Sequence, residues 1–430
     1  MLDVRRIRTE LDAVKAGLAR RGIDTSDLDR AADLDARQRA AMSESEQLRA
    51  DVKRLSGEVG KARKAGDTDT AERVTTESRA IGEQQAQREA EASALADELR
   101  ELLLGIPNLP ADDAPDGAGP DDNVVLRTVG ADREWADHQR VPHWVIGEEL
   151  GILDPDRATR MSGSMFNMYR GSGARLLRAL VQLSLDRAGG LDGEAAWEEI
   201  RPPTVVRTDT MIATGHLPKF ADDAYHLERD DLWAIPTAEV PLTFMHAGEV
   251  LDEATLPRRY AAYTPCFRRE AGSAGRDTRG LLRSHEFDKV ELMAYATAEQ
   301  AMDVHADIVA RGEGILADLG LAYRVLDLCT GDLGFGGRRT FDLEAYAPGC
   351  DQWLEVSSVS WYGDFQARRS NARYKPAGGK GTEVLHTLNG SVLGWPRTWA
   401  AVVETYRQPD GRIGVPEVLR PYLGGAEALS

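Results

Sequence analysis

The segment with the clearest chemical potential consists of two charged stretches joined by a glycine-rich loop. Arg268 and Glu270 lie in the first stretch, and Phe287, Lys289 and Glu291 lie in the second. Alternation along a strand predicts that Arg268 and Glu270 share one face of a hairpin strand, and that the other three share one face of its partner. A guanidinium can hold a phosphate, a carboxylate can accept a hydrogen bond from an adenine amino group, and an aromatic ring can stack on a base. The pattern suits a nucleotide site, although a surface hairpin with alternating ion pairs is the simpler explanation of the spacing alone.

Longer stretches, in order along the chain, resemble one known family. Residues 267–281 are similar to motif 2 of the class II aminoacyl-tRNA synthetases in its seryl form, and residues 235–243 resemble a serine-binding strand. Residues 365–369, 388–397 and 415–422 resemble further parts of the family, the second of them its motif 3. The matches are long, ordered and spread over the whole chain, so they are more specific than any short pattern. The resemblance to bacterial-type seryl-tRNA synthetases implies a serine–tRNA ligase that activates L-serine with ATP and transfers it to the 3' end of tRNA-Ser, and by extension of tRNA-Sec.

The resemblance implies three catalytic residues, Arg268, Glu355 and Arg397. In serine activation the serine carboxylate attacks the α-phosphate of ATP and expels pyrophosphate, so positioning and charge neutralisation matter more than a proton shuttle. Arg268 is expected to bridge the α-phosphate and the serine carboxylate, and Arg397 is expected to meet the γ-phosphate. Glu355 is expected to hold Mg²⁺ together with ATP, and no zinc is expected.

The resemblance also implies two binding sets around these residues. The serine set is Thr237, Ala238, Glu239, Arg268, Glu291, Asn389 and Ser391. The ATP set is Arg268, Arg269, Glu270, Phe287, Glu355, Val356, Ser357, Ser358 and Arg397. Glu355 and Ser358 have opposite strand parity, which predicts a β-bulge or a backbone contact if both reach the site. Two alternatives stay open: Thr237 packs in a strand, and Ser391 caps the following helix.

Five positions depart from the family pattern. Val392 and Pro396 stand where the family usually has glycine, with the unusual Trp395 beside them, and Val359 and Trp361 stand where cysteine and asparagine are usual. Glycine permits close backbone approach to a ligand, so bulkier residues would change the pocket. The departures therefore predict a reshaped wall around seryl-adenylate, and with it a specialised second isozyme linked to antibiotic biosynthesis or resistance.

The elements that must position these residues indicate an α+β fold. Residues 1–104 read as nearly continuous helix broken by turn formers at 64–69, with a seam at Leu48, Val52, Leu55, Val59 and Ala62, which predicts an N-terminal antiparallel two-helix coiled-coil arm. Residues 105–122, rich in Pro, Gly and Asp, predict a linker. Residues 123–430 combine strand-like runs with a helix over 297–320 that carries a Thr297/Gln300 capping box. They predict an antiparallel sheet, and the resemblance makes it a class II synthetase catalytic domain.

The charge distribution hides a basic stripe within an acidic chain. The formal net charge of −18 argues against a nucleic-acid partner when it is taken alone. The first arm helix, however, carries Arg49, Lys53, Arg54, Lys61, Arg63 and Lys64 against only Asp51 and Glu58. A solvated helix face is the usual explanation of such a run. The resemblance instead implies tRNA contacts, in which the arm reads the long variable arm of tRNA-Ser by shape and backbone.

Composition excludes several other classes of protein. No run of eighteen apolar residues occurs, so no membrane span is expected, and the N-terminus has no apolar segment typical of a secretion signal. The three cysteines lie far apart without CxxC spacing, which argues against a disulfide framework or a cysteine-rich zinc site and for a cytoplasmic protein. The resemblance implies a homodimer whose interface is motif 1, from the helix around residues 175–188 to Pro202 and Pro203.

Two alternative functions differ from a tRNA ligase in class. An amino acid activating ligase that acts on a carrier protein would share the catalytic domain but lack the long helical arm, which this chain has. A non-catalytic RNA-binding relative would keep the arm and lose the active site. Arg268, Glu270, Glu291, Glu355 and Arg397 are all present, which argues against that second alternative.

Overall fold

The protein is described by a computed structural model that covers residues 1–189, 197–271 and 279–430. These residues form two compact units. The helical unit comprises Leu2–Ala19 and Ile23–Pro107, and the sheet unit comprises Met1, Arg20–Gly22 and Asn108–Ser430.

The helical unit contains four helices: α1 (Val4–Thr9), α2 (Leu11–Ala19), α3 (Ser26–Ala65) and α4 (Thr68–Gly105). The expectation of nearly continuous helix over residues 1–104 is therefore wrong near the N-terminus, where the chain leaves the helix at Glu10 and again before Ser26. The long pair α3 and α4 is the predicted antiparallel hairpin. Gly66 ends α3 in the left-handed conformation (φ 75°), which glycine adopts without steric penalty, and the Asp67 carboxylate caps α4 by accepting from the Thr70 N–H.

The seam between α3 and α4 is narrow, as the spacing of apolar residues predicts. Leu55 and Ala62 are buried, whereas Leu48, Val52 and Val59 are half-buried. Ion pairs join the two helices across the seam, from Arg30 to Glu98 (2.6 Å) and from Arg88 to Glu44 (2.8 Å). A hairpin with this little apolar core depends on its pairing along the whole length.

The sheet unit contains the remaining elements. Its helices are α5 (His143–Glu149), α6 (Pro155–Ser162), α7 (Gly171–Gly189), α8 (Thr208–Thr214), α9 (Glu239–Phe244), α10 (Ala301–Asp318), α11 (Phe365–Ser370) and α12 (Trp395–Thr405). Its strands are β1 (Val124–Val129), β2 (Glu198–Glu199), β3 (Val205–Arg207), β4 (His226–Leu227), β5 (Leu232–Ala234), β6 (Val250–Asp252), β7 (Arg258–Phe267), β8 (Glu286–Ala296), β9 (Tyr323–Asp327), β10 (Arg339–Ala347), β11 (Gln352–Gly363), β12 (Arg373–Lys375), β13 (Glu383–Val384), β14 (His386–Gly394), β15 (Ile413–Gly414) and β16 (Ala428–Leu429).

One eight-stranded sheet dominates this unit, in the order β1-β9-β10-β11-β14-β8-β7-β2. Its neighbours pair antiparallel except for β2, which runs parallel to β7, so the predicted antiparallel α+β class is confirmed. Helix α10 lies against one face, where Ile308 and Val359 close over Gly390. The main apolar core includes residues of α7, α10 and α12 together with the central strands.

The segment predicted as a linker, residues 105–122, lies on the sheet unit from Asn108 onward. The buried Asn108 side chain donates to the carbonyl oxygens of Gly336 (2.9 Å) and Tyr362 (2.7 Å). Ala111 and Ala114 are also buried. These contacts give the segment an ordered course despite a composition typical of linkers. Within the ranges that the structure describes, no helix has the length and apolar character needed to cross a membrane.

The best-marked single helix of the sheet unit was predicted nearly correctly. The capping pair is present, because the Thr297 N–H donates to the Gln300 side chain (3.1 Å) and the Gln300 N–H donates to the Thr297 hydroxyl (3.4 Å). Helix α10 then begins at Ala301 rather than at Thr297, and Gly320 follows its end with a φ of 62°. The pair stabilises the turn that leads into the helix.

Candidate active site

A polar cavity of about 260 Å³ opens where β7, β8, β11 and β14 lie side by side. All residues of the two expected binding sets line it except Ala238 and Arg269. Side chains of both charges line the wall, with Arg268, Lys289 and Arg397 among the cations and Glu239, Glu270, Glu291 and Glu355 among the anions. Such a wall suits ligands that carry both signs of charge.

A buried ionic group forms one end of this cavity. The Lys289 ammonium makes an ion pair with Glu291 and donates to the Thr237 hydroxyl (2.7 Å), which in turn donates to Glu291 (3.3 Å). Glu239 is also buried and accepts from the Gln366 amide (2.6 Å). Two carboxylates facing one lysine leave a net negative charge, and a bound ammonium group would neutralise it.

Asn389 and Ser391 complete this end of the cavity from β14. The Asn389 amide donates to Glu291 (3.0 Å), and the Ser391 hydroxyl lies 3.5 Å from the same carboxylate. Ser391 is within the strand, three residues before the Gly394 cap of α12, so it does not cap that helix. Thr237 does not lie in a strand either, because β5 ends at Ala234 and the chain turns into α9. The expectation of a strand over residues 235–243 is therefore wrong.

Burial dominates the electrostatics of this group. It raises the pKa of Glu239 and of Glu291, and Lys289 opposes the rise in both. Burial also raises the pKa of Tyr362, to which the charges of Glu239 and Glu291 add. Burial, followed by the charges of Arg268 and Lys289, lowers the pKa of His216 to about 3, so this imidazole is neutral at physiological pH.

Arg268, Glu270 and Phe287 line the cavity next to the ionic group. The Arg268 guanidinium lies 5.1 Å from the centre of the Phe287 ring, and its Nε donates to the Pro236 carbonyl oxygen (3.3 Å). Glu270 pairs with Arg283 (2.7 Å). Strand alternation does not place Arg268 and Glu270, because β7 ends at Phe267 and Glu270 has a φ of 51°. The turn after the strand directs both side chains to the cavity.

A β-bulge in β11 brings Glu355 and Ser358 to the same wall. Opposite β10, Leu343 pairs with Ser357 and Glu344 pairs with Glu355, which leaves Val356 as the extra residue. The bulge resolves the parity conflict between the two polar residues as predicted. Arg397 then reaches Glu355 from α12, where its guanidinium lies 3.5 Å from the carboxylate.

The oxygen atoms near Glu355 fit a hard divalent cation. The Glu355 side chain is 49% exposed, and both Glu355 and Ser358 line the cavity. Asp342 pairs with Ser358 across the strands, and one of its carboxylate oxygens is buried without a hydrogen-bond partner. Burial and the charge of Glu355 raise the pKa of Asp342. Carboxylate and hydroxyl oxygens are donors that suit Mg²⁺.

The side chains of two expected site residues do not line the cavity. The Ala238 side chain is fully buried in the apolar cluster around Leu242 and Tyr295, so it does not face the cavity. Arg269 is exposed, and its backbone N–H donates to the Asp223 carbonyl oxygen (2.9 Å). Ala238 and Arg269 stay predicted binding residues whose side chains lie off this cavity wall. Residues 272–278 of the motif 2 loop lie outside the described residues.

The cavity also includes residues that sequence reasoning did not assign. Lys289 has a clear signal, because it alternates with Phe287 and Glu291 on β8. His216, Arg283 and Tyr362 also line the wall. Tyr362 shares strand parity with Ser358 and Ser360 and could have been found by extending β11. His216 comes from a distant loop and has no local signal.

The five departures from the family pattern do not form a common wall. Pro396 lines the cavity, in the first turn of α12. Val359, Val392 and Trp395 are buried in the main apolar core. Trp361 lines a separate cavity with Arg339 and His305. The prediction that all five reshape the pocket is therefore wrong, and Pro396 is the one departure that can act there directly.

Replacing Val392 by glycine should separate packing from pocket shape. The Val392→Gly variant removes a buried side chain and adds backbone freedom, so it should lower the free energy of unfolding by about 2–4 kcal/mol. Its inhibition by a non-hydrolysable seryl-adenylate analogue should stay unchanged. Pro396→Gly should change that inhibition severalfold with a smaller loss of stability. Both variants are compared by thermal unfolding and by inhibition with the analogue. If Val392→Gly altered inhibition without destabilising the protein, the assignment of Val392 to packing would be wrong.

Comparisons with known proteins agree along the whole chain. The seryl-tRNA synthetase N-terminal domain matches residues 1–110, and the tRNA synthetase class II core domain (G, H, P, S and T) matches residues 224–406. A serine–tRNA ligase of Roseiflexus sp. (strain RS-1) is 46% identical over 429 residues, which cover 100% of this chain and 99% of the relative. One of Gemmatimonas aurantiaca is 46% identical over 99% of each chain. The crystal structure of the Pyrococcus horikoshii seryl-tRNA synthetase complexed with ATP is similar with a TM-score of 0.91 and 32% identity, over 100% of this chain and 99% of that one.

Proposed function

This chain belongs to the seryl-tRNA synthetase family of class II, ATP-dependent serine–tRNA ligases, and we propose on that premise that its cavity forms seryl-adenylate and passes the seryl group to the 3' end of tRNA-Ser. The observation that carries the proposal is the buried group of Glu239, Glu291 and Lys289 beside Arg268. It places excess negative charge for an ammonium group next to a guanidinium for a carboxylate and a phosphate. An amino acid and ATP need that combination at one point.

The side chains divide the activation step between them. The serine ammonium binds at Glu239 and Glu291, and Ser391 or Asn389 meets its hydroxyl group. Arg268 holds a serine carboxylate oxygen against the α-phosphorus. When that oxygen attacks, the bond from the α-phosphorus to the bridging oxygen breaks, and pyrophosphate leaves with the electron pair. Arg268 and Arg397 stabilise the charge that shifts toward the leaving group, while Glu270 and Phe287 hold the adenine.

Glu355, with Ser358 beside it, would hold Mg²⁺ at the triphosphate. When bound, the ion supplies charge neutralisation on the phosphate oxygens. The pairing of Glu355 with Arg397 aligns the two groups that face the triphosphate before ATP binds.

We propose that the helical arm binds tRNA. The tip of α3 presents Arg49, Lys53, Arg54, Lys61, Arg63 and Lys64 on a helix whose first turns are acidic. Among them Arg54 is already paired with Asp51 and Glu58, both at 3.0 Å. In the described parts of the chain, no carboxylate lies within ion-pair distance of Lys53 or Lys61. These free cations suit the phosphates of a long variable arm, in tRNA-Ser and equally in tRNA-Sec.

We propose a homodimer that uses α7 and the chain toward Pro202 and Pro203, and a cytoplasmic location. Apolar side chains are also exposed on the edge strand β1, at the opposite edge of the sheet from β2, and such a patch is a second candidate contact surface; they are Val124, Val125, Leu126 and Val129.

The alternative functions have less support. A ligase that loads a carrier protein would not need the helical hairpin of α3 and α4 with its basic tip. The specialised-isozyme proposal now rests on Pro396 alone among the five departures. Its test is the inhibition of the Pro396→Gly variant described above.

Serine should be the standard amino acid that drives ATP–pyrophosphate exchange. Alanine has no hydroxyl group to meet Ser391 or Asn389, so its kcat/KM should be lower by at least about a hundredfold. The measurement is exchange with each amino acid in turn. Ser391→Ala should narrow the ratio of serine to alanine. Faster exchange with alanine, glycine or threonine in the unaltered protein would overturn the assignment.

A further inference from the structure

A buried cluster behind the cavity links motif 3 to the end of the motif 2 loop. It consists of His143 at the start of α5, Glu404 in the last turn of α12, and Cys350, and both His143 and Glu404 are fully buried. No role in the activation step accounts for it. Its contacts lead to the cavity through Leu281 and Leu282, which both line the wall.

The Glu404 carboxylate is the fixed point of the cluster. One oxygen accepts from the backbone N–H of His143 (2.8 Å) and from the Cys350 thiol (3.1 Å), and lies 2.8 Å from His143 Nδ1. The other oxygen accepts from the backbone N–H groups of Gly349 (2.7 Å) and Cys350 (3.1 Å). So many donors hold the carboxylate in one orientation.

The hydrogen bonds also fix the tautomer of His143. The Leu281 backbone N–H donates to His143 Nε2 at 2.9 Å, so Nε2 must carry a lone pair. The proton therefore lies on Nδ1 and points at Glu404. The fit is close, since a Cβ on Gly280 would lie 2.4 Å from His143 Nε2 and 2.7 Å from the Trp144 ring. Glycine with a φ of 58° lets the chain pass there.

The same geometry argues against a metal ion at this cluster. His143, Cys350 and Glu404 offer three ligand atoms that all lie within 4.8 Å of one another. A metal on Nδ1 would move the proton to Nε2, where it would face the Leu281 N–H, donor against donor. The cluster is built as a chain of hydrogen bonds that ends on the backbone of Leu281.

Leu282, which follows Leu281 in the chain, connects the hydrogen-bonded cluster to Arg397. The Leu282 carbonyl oxygen accepts from Arg397 Nε (3.3 Å), and the other side of the guanidinium donates to the Glu355 carbonyl oxygen (3.0 Å). Arg397 and Glu404 are seven residues apart on α12, so both ends of the linkage rest on one helix. The hydrogen bonds therefore connect Glu404 through His143 and the backbone at Leu281 to Arg397, and helix α12 joins Arg397 back to Glu404.

We propose that His143 is a positioning residue for ATP: its Nδ1–H tautomer, held by Glu404, anchors the backbone at Leu281 so that Leu282 orients Arg397 toward the triphosphate. The inference rests on the proposed role of Arg397. The proposed role affects the binding of ATP, whereas other side chains bind serine.

Two substitutions test the contributions of the two ring nitrogens of His143 separately. In His143→Asn the amide can still donate to Glu404 but cannot reach Leu281, whereas in His143→Gln the side-chain oxygen can accept from the Leu281 N–H. We expect His143→Asn to raise KM for ATP at least about tenfold, with KM for serine changed less than twofold, in ATP–pyrophosphate exchange. His143→Gln should remain within about threefold of the unaltered protein. Thermal unfolding of both variants measures the structural role separately.

The outcomes distinguish the possible failures. If the unaltered protein shows no serine-dependent exchange, the proposed function fails. If it is active and His143→Asn keeps its KM for ATP, or if both variants lose activity only in proportion to lost stability, the positioning role is overturned. Stoichiometric zinc in the purified protein, with a drop in melting temperature on chelation, would overturn the hydrogen-bond assignment in favour of a metal site.

Discussion

Replacing Arg268 by alanine should reduce serine-dependent ATP–pyrophosphate exchange at least about a thousandfold. The guanidinium is held between the Phe287 ring and the Pro236 carbonyl oxygen, so it projects into the cavity before any ligand binds. It is expected to contact both reactants, and a thousandfold loss corresponds to about 4 kcal/mol of transition-state stabilisation. Initial rates over a range of ATP and serine concentrations would measure the loss in kcat/KM.

The neighbouring Arg269 offers a matched control. It has the same charge, but its side chain is exposed and lies off the cavity wall, so Arg269→Ala should change exchange less than about threefold. Arg268→Lys should lie between the two alanine variants, because it keeps the charge but loses the planar fork. A loss of less than about tenfold in Arg268→Ala would show that this side chain is not at the reacting centre.

Removing the tip of the arm should abolish aminoacylation and leave serine activation almost intact. Residues 44 and 45 of α3 lie opposite residues 85 and 88 of α4, because Ser45 contacts Gln85 (3.5 Å) and Glu44 pairs with Arg88 (2.8 Å). Residues 46–86 can therefore be replaced by a short glycine–serine turn, which removes all six basic residues and keeps the lower seam. Charging of tRNA-Ser should fall at least about a thousandfold, since phosphate contacts provide most of such binding, while exchange should stay within about twofold. Normal charging by the shortened protein would assign the arm another role.

Point variants at the tip give the control for this deletion. Lys53→Ala and Lys61→Ala remove cations without a carboxylate partner in the described chain, so each should weaken charging and make it less sensitive to added salt. Arg54→Ala removes a charge already balanced by Asp51 and Glu58 and should have the smaller effect.

Sequence reasoning succeeded where local rules decide the structure. Strand parity between Glu355 and Ser358 required an irregularity, and the bulge at Val356 supplies it. Parity would also have placed Val359 and Trp361 on the face of β11 opposite Ser358, and Val392 on the face of β14 opposite Ser391. The prediction of a reshaped pocket failed because nearness along the chain was taken for nearness in space.

Other features could not be predicted because distant parts of the chain determine them. The turn at Thr237 that leads into α9 is fixed by contacts with Lys289 and Glu291, more than fifty residues away. Asn108 is ordered by carbonyl oxygens around Gly336 and Tyr362, which its proline-rich surroundings do not reveal. His216 joins the cavity wall through the fold alone.

The paired length of α3 and α4 has a consequence for how such a chain can change through insertions and deletions. Helices of 40 and 38 residues give the hairpin a length of about 60 Å, to which each residue contributes 1.5 Å. A codon lost from one helix would turn every later residue by about 100° and take Leu55 and Ala62 off the seam. Only insertions or deletions of equal length in α3 and α4, in steps near seven residues, would lengthen or shorten the hairpin and keep the apolar residues on its seam. If the arm binds tRNA as proposed, its length is thereby protected from single-codon changes by the same packing that holds the two helices together.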